Sequence, residues 1–232
     1  MRIGAIVLLQ GLHCVQSYEW KTIRPLGDLQ GVVTALDSYC VDEIAIINIL
    51  RGNKVKIQSN LEQVKKLRTS SPISIGGGIR SIDKLTQLSD LPVERIVFSS
   101  ALLDESFDLL DQTALVFGRQ SVQGLLPFKK QSTGAYHFYN SRSCIFEPIK
   151  ENLWKEINKR VNELIFYDVS SEGSSCGFDF NVFSGINIPI DKIILARGVG
   201  KSEILEARKR GFAAVLIENR ILHKENSIRD YQ

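Results

Sequence analysis

A run of three glycines follows a short apolar segment of the sequence and precedes a helical one. Without side chains in the way, backbone N–H groups can approach an anion, and a helix that begins nearby adds favourable partial charge. Two serines end the next apolar segment and add hydroxyl donors. The pattern predicts a phosphate site, and the alternative is that the glycines only make a tight turn. The predicted phosphate-binding residues are Gly76, Gly77, Gly78, Ser99 and Ser100.

The same order of features recurs in the second half of the sequence. Segment 194–202 repeats the glycine turn, and segment 215–222 repeats the stretch that follows it. Such an internal repeat predicts two half-barrels joined in tandem. A second phosphate site would use Gly198, Gly200 and Asn219. Against it, Arg197 replaces a glycine, and Glu218 would repel an anion unless Arg197 or Arg220 neutralises it.

Three polar residues are candidates for acid–base chemistry. Asn48, Asp168 and Glu172 stand at or just beyond the ends of predicted strands, where barrel active sites are built. Glu172 could act as a general base or bind a substrate hydroxyl, and the alternative is a solvated loop carboxylate. The three histidines and four cysteines lack the spacing of a metal or redox motif. We predict free thiols, no metal and no cofactor.

Composition and length limit the class of protein. The chain has 232 residues, of which 44% are hydrophobic and 24% charged, and we expect a single domain over residues 1–232. The net charge of +3 is spread along the chain, which argues against a nucleic-acid partner. The apolar runs are shorter than the roughly 20 residues of a membrane helix, and no signal peptide is evident. We therefore expect a cytoplasmic protein without a membrane partner.

Eight apolar segments alternate with amphipathic ones and predict a (β/α)8 barrel of the TIM type. Predicted helices include residues 60–68 and 202–210. Two insertions, at residues 11–20 and 123–144, follow the first and fifth strands and would lie on the catalytic face. The predicted strands cover residues 3–9, 43–48, 73–76, 95–99, 114–118, 163–168, 192–196 and 213–217.

Together these segments resemble the HisA/HisF family of half-barrel repeats, over essentially the whole chain. The similarity is greatest to the cyclase (HisF-like) branch, a subunit of imidazole glycerol phosphate synthase. It rests on Arg2-Ile3, Gly27-Asp28, Val41 to Ile44, Gly76 to Ser81, Ser99 to Leu103, and Glu172-Gly173 with Gly177 to Asp179. The resemblance implies a phosphorylated or sugar-nucleotide substrate. It also implies a HisH-like glutaminase that docks on the N-terminal face of the barrel and supplies ammonia.

The resemblance also implies an ammonia gate, a ring of four charged residues at the barrel floor. Arg2, Glu43, Arg95 and Glu163 stand at the matching positions. All four precede or begin predicted strands, and their charges sum to zero, so they could form a closed ring of ion pairs. The alternative is that charges at this end of a barrel only cap and solvate it.

The expected catalytic positions differ from those of the family. The resemblance implies that cyclization uses general acid–base catalysis by two aspartates, one at the end of the first strand and one at the end of the fifth. We assign Leu8 to the first position and Gln120 to the second, and Gln16 stands where a lysine is usual. Leu8 cannot transfer a proton, and Gln120 has no useful pKa.

Three hypotheses follow. Leu8 and its neighbours resemble a divergent branch that works with a glutaminase-like partner in acetamidino modification of bacterial surface sugars, such as the nonulosonic acids of lipopolysaccharide. The chain would then be an ammonia-accepting synthase subunit with Gln120, Glu172, Asn48 and Asp168 as catalytic candidates. The second hypothesis is the histidine-pathway cyclase. The third is an inactive barrel that binds the glutaminase.

Overall fold

The computed structural model describes residues 1–49, 51, 58–174 and 176–218. Asn219, Arg220 and His223 lie outside the described residues. The described strands are β1 (Arg2–Gln10), β2 (His13–Tyr18), β3 (Thr22–Gly27), β4 (Ile44–Asn48), β5 (Ile73–Gly76), β6 (Arg95–Phe98), β7 (Val122–Lys130), β8 (Tyr136–Asn140), β9 (Ile145–Glu147), β10 (Glu163–Asp168), β11 (Ile193–Ala196) and β12 (Ala214–Glu218).

Eight parallel strands of this described part close into a barrel. Their order around it is β1, β4, β5, β6, β7, β10, β11 and β12, and β12 pairs with β1. The closing pair of the other half is β7 with β10, in which Glu163 is opposite Gln123 and Asp168 is opposite Phe128. The predicted (β/α)8 fold is therefore confirmed.

Helices cover the outside of the barrel. They are α1 (Leu29–Ser38), α2 (Gln58–Lys65), α3 (Ile82–Leu88), α4 (Ser100–Leu103), α5 (Phe107–Phe117), α6 (Glu151–Arg160) and α7 (Lys201–Arg210). At the start of α1 the Asp28 carboxylate accepts a hydrogen bond from the backbone N–H of Gly31, which satisfies a donor that the helix leaves free. The helix α7 ends at Gly211, whose φ of 84° is a left-handed conformation that favours glycine.

The fifth predicted strand is wrong. Residues 114–118 belong mostly to helix α5, and the strand is β7, which begins at Val122. The apolar run in α5 was misleading because Leu115 and Val116 are 77% and 60% exposed, so the helix has no clean polar face there. Conversely β7 contains Gln123 and Pro127, residue types that argue against a central strand. The other seven predicted strands agree with the structure to within one residue at each end.

Both insertions form antiparallel β structure at the carboxyl ends of the barrel strands. After β1 the chain turns back as β2 and β3, with Leu8 opposite Val15. The second insertion is an extension of β7 itself, which runs past the barrel and pairs with β8, and β8 pairs with β9. A hairpin turn joins β7 and β8, with Gly134 at a φ of 87°. The inserted segments lie where they can cover the mouth of the barrel.

Alternation along the strands separates two apolar layers. In β1, Ile3 and Val7 pack outward under the helices, whereas Ile6 and Leu8 join a second cluster that fills the barrel. Arg2 has the parity of Ile6 and Leu8 and therefore begins the inward-facing row at the floor. The interior is a packed apolar core with polar groups at both ends.

We found no helix in the described part of the chain with the length and hydropathy needed to cross a membrane.

Candidate functional site

A cavity opens at the carboxyl ends of the barrel strands, which we call the mouth cavity. Six barrel strands or the turns after them line it, together with the two insertions. Leu8, Ile47, Val97 and Leu125 form its apolar base and also belong to the inner cluster of the barrel. Asn48 and Ser99 supply polar groups. None of the described residues that line this cavity is a carboxylate.

Aromatic side chains from the two insertions meet over this cavity. Trp20, in the turn between β2 and β3, lies 4.6 Å from the ring of Tyr139 on β8, measured between ring centroids. The guanidinium of Arg51 lies 4.5 Å above the Trp20 ring, within the range of a cation–π interaction. Burial is the largest of the effects that raise the pKa of Tyr139, to about 12, so this phenol stays neutral at physiological pH. The mouth cavity therefore has an aromatic roof that carries one positive charge.

The structure corrects the position of Gln120. Because the fifth strand begins at Val122, Gln120 precedes it and lines a cavity at the opposite end of the barrel, with Arg2 and Glu163. At the mouth, β7 presents Leu125 and Pro127 instead. The ends of the first and fifth strands thus offer Leu8 and Pro127, and neither can transfer a proton.

Glu172 is not a solvated loop carboxylate. It has no exposed surface, and its Oε2 accepts hydrogen bonds from the Ser17 hydroxyl at 2.9 Å and the Trp20 backbone N–H at 3.0 Å. Its Oε1 accepts a hydrogen bond from the Tyr167 hydroxyl. The guanidinium of Arg197 lies 3.7 Å from the same oxygen. Both oxygens are engaged, so Glu172 fastens the β2–β3 hairpin to the barrel and is not available as a general base in this conformation.

Asp168 is also fully engaged. Its carboxylate accepts hydrogen bonds from the backbone N–H groups of Ser170, Ser171 and Asp179 and from the Ser171 hydroxyl. Burial raises the pKa of Asp168, and these hydrogen bonds oppose that effect. Asp168 does not line the mouth cavity, so it organises the loop after β10. Of the four catalytic candidates, only Asn48 lies in the cavity wall.

The glycines of the first turn are required by close packing, and one of them, Gly77, lines the mouth cavity. A Cβ at Gly76 would lie 2.7 Å from the Cβ of Val97, and one at Gly77 would lie 2.1 Å from the backbone oxygen of Asn48. Gly77 and Gly78 also have φ values of 91° and 80°, which side chains rarely tolerate. Gly77 and Ser99 line the mouth cavity, whereas Ser100 is buried at the start of α4.

Side chains of the protein itself occupy the space at the second glycine turn. The guanidinium of Arg197 forms a 2.6 Å ion pair with Glu218, and both side chains are at least nine-tenths buried. At Gly200 the backbone N–H donates to the Glu203 carboxylate at 2.8 Å. Gly198 and Gly200 thus lie beside acidic side chains of the chain itself.

Three ion pairs join the four predicted floor residues in an open chain, and among the described contacts no pair between Arg95 and Glu163 closes the expected ring. Arg2 bridges Glu43 at 3.2 Å and Glu163 at 2.6 Å, and Arg95 binds the other oxygen of Glu43 at 3.2 Å. Gln123 supplies a further partner of Glu163 at 2.9 Å, so the chain of contacts continues through an amide. Burial raises the pKa of Glu43, and the two arginines oppose that effect. The structure therefore brings these residues together, and their role as a gate is taken up below as a proposal.

Several residues of the site were missed from the sequence. Trp20 and Tyr139 lie in the insertions and Arg51 follows β4, none of them in a local motif, and only the fold brings the three to the same cavity. Gln123 was assigned to an insertion, although alternation from Pro127 and Leu125 would have placed it inward on β7. His13 is exposed on β2, and neither it nor His137 lines the mouth cavity.

The fold and the two ends of the barrel define a class: a (β/α)8 protein with a cavity at its mouth and an ion-paired floor. Comparison with known families agrees with this class. The histidine biosynthesis protein family matches residues 2–227, and the chain belongs to this family, which is the HisA/HisF family.

The relatives that we compared are HisF proteins at low identity. The chain is 27% identical over 221 residues to a Campylobacter jejuni protein provisionally named imidazole glycerol phosphate synthase subunit hisF2, covering 92% of this chain and 86% of that protein. A provisionally named hisF2 protein of Vibrio vulnificus is 25% identical, with 98% and 85% covered. Imidazole glycerol phosphate synthase subunit HisF of Helicobacter hepaticus is 23% identical, with 87% and 81% covered. The chain is therefore a divergent HisF-like member of the family.

The contacts of Glu172 generate a prediction about the hairpin. Glu172→Ala leaves the buried hydroxyls of Ser17 and Tyr167 without their acceptor, whereas Arg197 keeps Glu218, and each buried donor left unsatisfied costs about 1–3 kcal/mol. We expect this loss in the free energy of unfolding from denaturant titration, together with faster amide exchange in β2 and β3.

Glu147→Ala, at an exposed carboxylate on β9, is the matched control and should change neither quantity. If Glu172→Ala does not fold, Ser17→Ala removes one hydrogen bond and should cost about 1 kcal/mol. Unchanged exchange in the hairpin of both variants would contradict the assigned role.

Proposed function

We propose that this chain is the ammonia-accepting subunit of a synthase, that it works with a HisH-like glutaminase docked on the barrel floor, and that it installs nitrogen on a sugar-like substrate. We further propose that the product is an acetamidino group on a bacterial surface sugar, such as a nonulosonic acid of lipopolysaccharide. The proposal rests on the contrast between the two ends of the barrel. The floor has a set of ion pairs, whereas the described lining of the mouth cavity contains no carboxylate.

The floor supports the ammonia part of the proposal. Charged side chains at the bottom of a barrel usually point to solvent, but here Glu43 is 2% exposed and lies inside the strand ring. Gly4 makes room for it, because a Cβ at Gly4 would lie 2.6 Å from Glu43 Cγ. Holding a carboxylate inside the barrel is costly unless its partners are fixed around it, as Arg2 and Arg95 are. A polar constriction that only opens with rearranged ion pairs is the type of element that a gate requires.

The interior supports passage of a neutral molecule. Between the floor and the mouth lies the apolar inner cluster, which includes Ile6, Ala45 and Ile165. An ammonium ion would lose its hydration there at a large cost, whereas neutral ammonia would not. We therefore propose that the molecule that crosses the barrel is uncharged.

Gln123 adds a polar step at the start of that path. Its side chain is 1% exposed and its Nε2 is held by Glu163, but its Oε1 has no hydrogen-bond partner in the described part of the structure. A buried acceptor without a donor is unfavourable by about 1–3 kcal/mol. The N–H of a passing ammonia molecule would satisfy it.

The mouth supports an anionic, sugar-like substrate. Gly77 and Ser99 can donate hydrogen bonds to a phosphate, and Arg51 is the charged residue among the described residues that line the cavity. The aromatic faces of Trp20 and Tyr139 suit the apolar face of a sugar ring. Because Leu8 and Pro127 cannot transfer protons, the acid–base cyclization of the family is not supported by this cavity.

The direct test is an assay with labelled ammonium. Purified protein, candidate nucleotide sugars and ammonium labelled with heavy nitrogen should give a labelled sugar by mass spectrometry. With the glutaminase encoded nearby, labelled glutamine should replace ammonium, and the protein should raise the glutaminase turnover. A protein that neither co-elutes with nor activates such a glutaminase would refute the proposal.

Docking on the floor can be tested by introducing a tryptophan at the floor and, as a control, at the mouth. Gln120 lines a floor cavity of about 370 Å³ with Arg95 and Glu163, so Gln120→Trp would fill the space offered to a partner. We expect at least a tenfold loss of glutaminase affinity, equal to about 1.4 kcal/mol. The control is Gln131→Trp, in the hairpin at the mouth, which should leave the affinity unchanged. Equal losses in both variants would place the partner elsewhere.

The names of the relatives favour a second candidate, the histidine-pathway cyclase. Complementation of a cyclase-deficient histidine auxotroph decides between the two. We expect no growth, because Leu8 and Pro127 stand where the cyclization needs proton transfer. Growth at the rate given by a HisF control gene, with equal protein levels, would establish the cyclase reading.

The carboxylate-free mouth also favours a third candidate, an inactive barrel that binds and stimulates the glutaminase. The labelled-ammonium assay separates it from the first, because an inactive barrel would raise glutaminase turnover and yet label no sugar.

A further inference from the structure

The two glycine turns of the barrel have similar backbone conformations but differ in their side chains and in the groups packed against them. After β5, Gly77 and Gly78 have φ values of 91° and 80°; after β11, Arg197 and Gly198 have φ values of 74° and 63°. A left-handed conformation is unfavourable for a residue other than glycine. Arg197 therefore occupies a strained position that a glycine would fill without cost, and such strain persists only where the surrounding contacts impose it.

Those contacts form a buried ion cluster, which we define as Arg197, Glu218 and Glu172. Arg197 lies 2.6 Å from Glu218 and 3.7 Å from Glu172, so one cation faces two carboxylates and the cluster carries one net negative charge. Burial alone would lower the pKa of Arg197, but Tyr167 and the two carboxylates outweigh burial and raise it. The guanidinium of Arg197 is therefore paired with carboxylates of the chain itself, and the net negative charge of the cluster repels an anionic group of a ligand.

The space beside this turn is also occupied. A Cβ at Gly198 would lie 2.5 Å from the Cβ of Ser171 and 3.1 Å from the backbone nitrogen of Phe178, so the loop after β10 packs directly on the turn. The carboxylate of Glu203 takes the backbone N–H of Gly200 at 2.8 Å. A phosphate would have to displace this carboxylate as well as approach the cluster.

The described lining of the mouth cavity lies on the other side of Tyr167. This lining comes from β1, β4, β6, β7 and β10, from the turns and insertions that follow strands, and none of it from β11 or β12. Tyr167 forms the wall on the side of the ion cluster, and its ring centre lies 5.0 Å from the Arg197 guanidinium. The single donor left open in the cluster is the Nε of Arg197, which finds no acceptor among the described residues. A neutral oxygen can satisfy it without adding charge.

We infer that the barrel accepts a ligand with one anionic group, bound at the Gly77 and Ser99 end, and that the remainder of the ligand toward the second half is neutral or cationic. The ion cluster has replaced the second anion site. This inference deepens the proposed function and rests on it only for placing the substrate in the mouth cavity. It excludes bisphosphorylated compounds as the preferred substrate class.

Phosphate stoichiometry tests the inference without any glutaminase, so its failure is distinguishable from failure of the proposed function. Titration of the full chain with inorganic phosphate at low ionic strength, followed by calorimetry and phosphorus NMR, should give one site per chain. An alkyl monophosphate and the matching alkanediol bisphosphate should bind within about threefold of each other, whereas two sites engaged together would favour the bisphosphate by about a hundredfold or more. Two phosphates per chain, a strong bisphosphate preference, or no binding up to about 10 mM would each overturn it.

A pair of variants locates the site. Ser99→Glu copies into the first half the carboxylate that Glu218 provides in the second, since the two residues occupy equivalent places in the repeat. It should weaken phosphate binding at least tenfold, because like charges in contact cost several kcal/mol. Ser202→Glu adds the same charge at an exposed position on α7 and should leave phosphate affinity unchanged. Equal affinity in Ser99→Glu and the unmodified chain, with both folded by circular dichroism, would overturn the assignment.

Discussion

The arrangement of the mouth depends on one buried carboxylate, Glu172. It is shared by a hydroxyl and a backbone N–H of the β2–β3 hairpin, by Tyr167 on β10 and by Arg197 after β11. A carboxylate without exposed surface is stable only when its lone pairs are satisfied, so each of these groups must keep its place for the others to do so. The hairpin, the aromatic roof and the closed second half of the mouth all follow from this requirement.

An apolar core separates the ion-paired floor of the barrel from the mouth cavity. At the floor, Arg2 and Arg95 compensate buried Glu43 and Glu163; at the mouth, the described cavity wall has one cation and no carboxylate. The inner cluster between them excludes ions but not small neutral molecules. A molecule that enters at the floor and reacts at the mouth must therefore be uncharged in transit, which is the property that ammonia has and ammonium lacks.

The two halves of the barrel differ at equivalent positions, where the first half has small residues and the second half has an internal ion pair. Ser99 in the first half corresponds to Glu218 in the second, and Gly77 corresponds to Arg197. Each exchange introduces a buried charge, and the two charges pair with each other at 2.6 Å, with Glu172 as a second carboxylate near Arg197. The repeat thus retains the backbone of both turns while leaving one of them free for a ligand.

The apolar runs of the sequence predict the (β/α)8 fold and seven of the eight strands, because parallel strands covered on both faces are almost continuously apolar. The family resemblance, together with charges at strand starts, indicated the floor residues, which the structure brings together. The sequence also identified the glycine turns, whose conformations few other residues tolerate. The position of Gln120 at the floor required the tertiary structure, because the helical run 114–118 is as apolar as a strand and the real strand contains Pro127. The tertiary structure likewise decided that Glu172 and Asp168 are fully engaged, since burial and hydrogen-bond partners come from segments far apart in the chain. Local pattern fixes which residues form elements, whereas the availability of a carboxylate depends on every element packed around it.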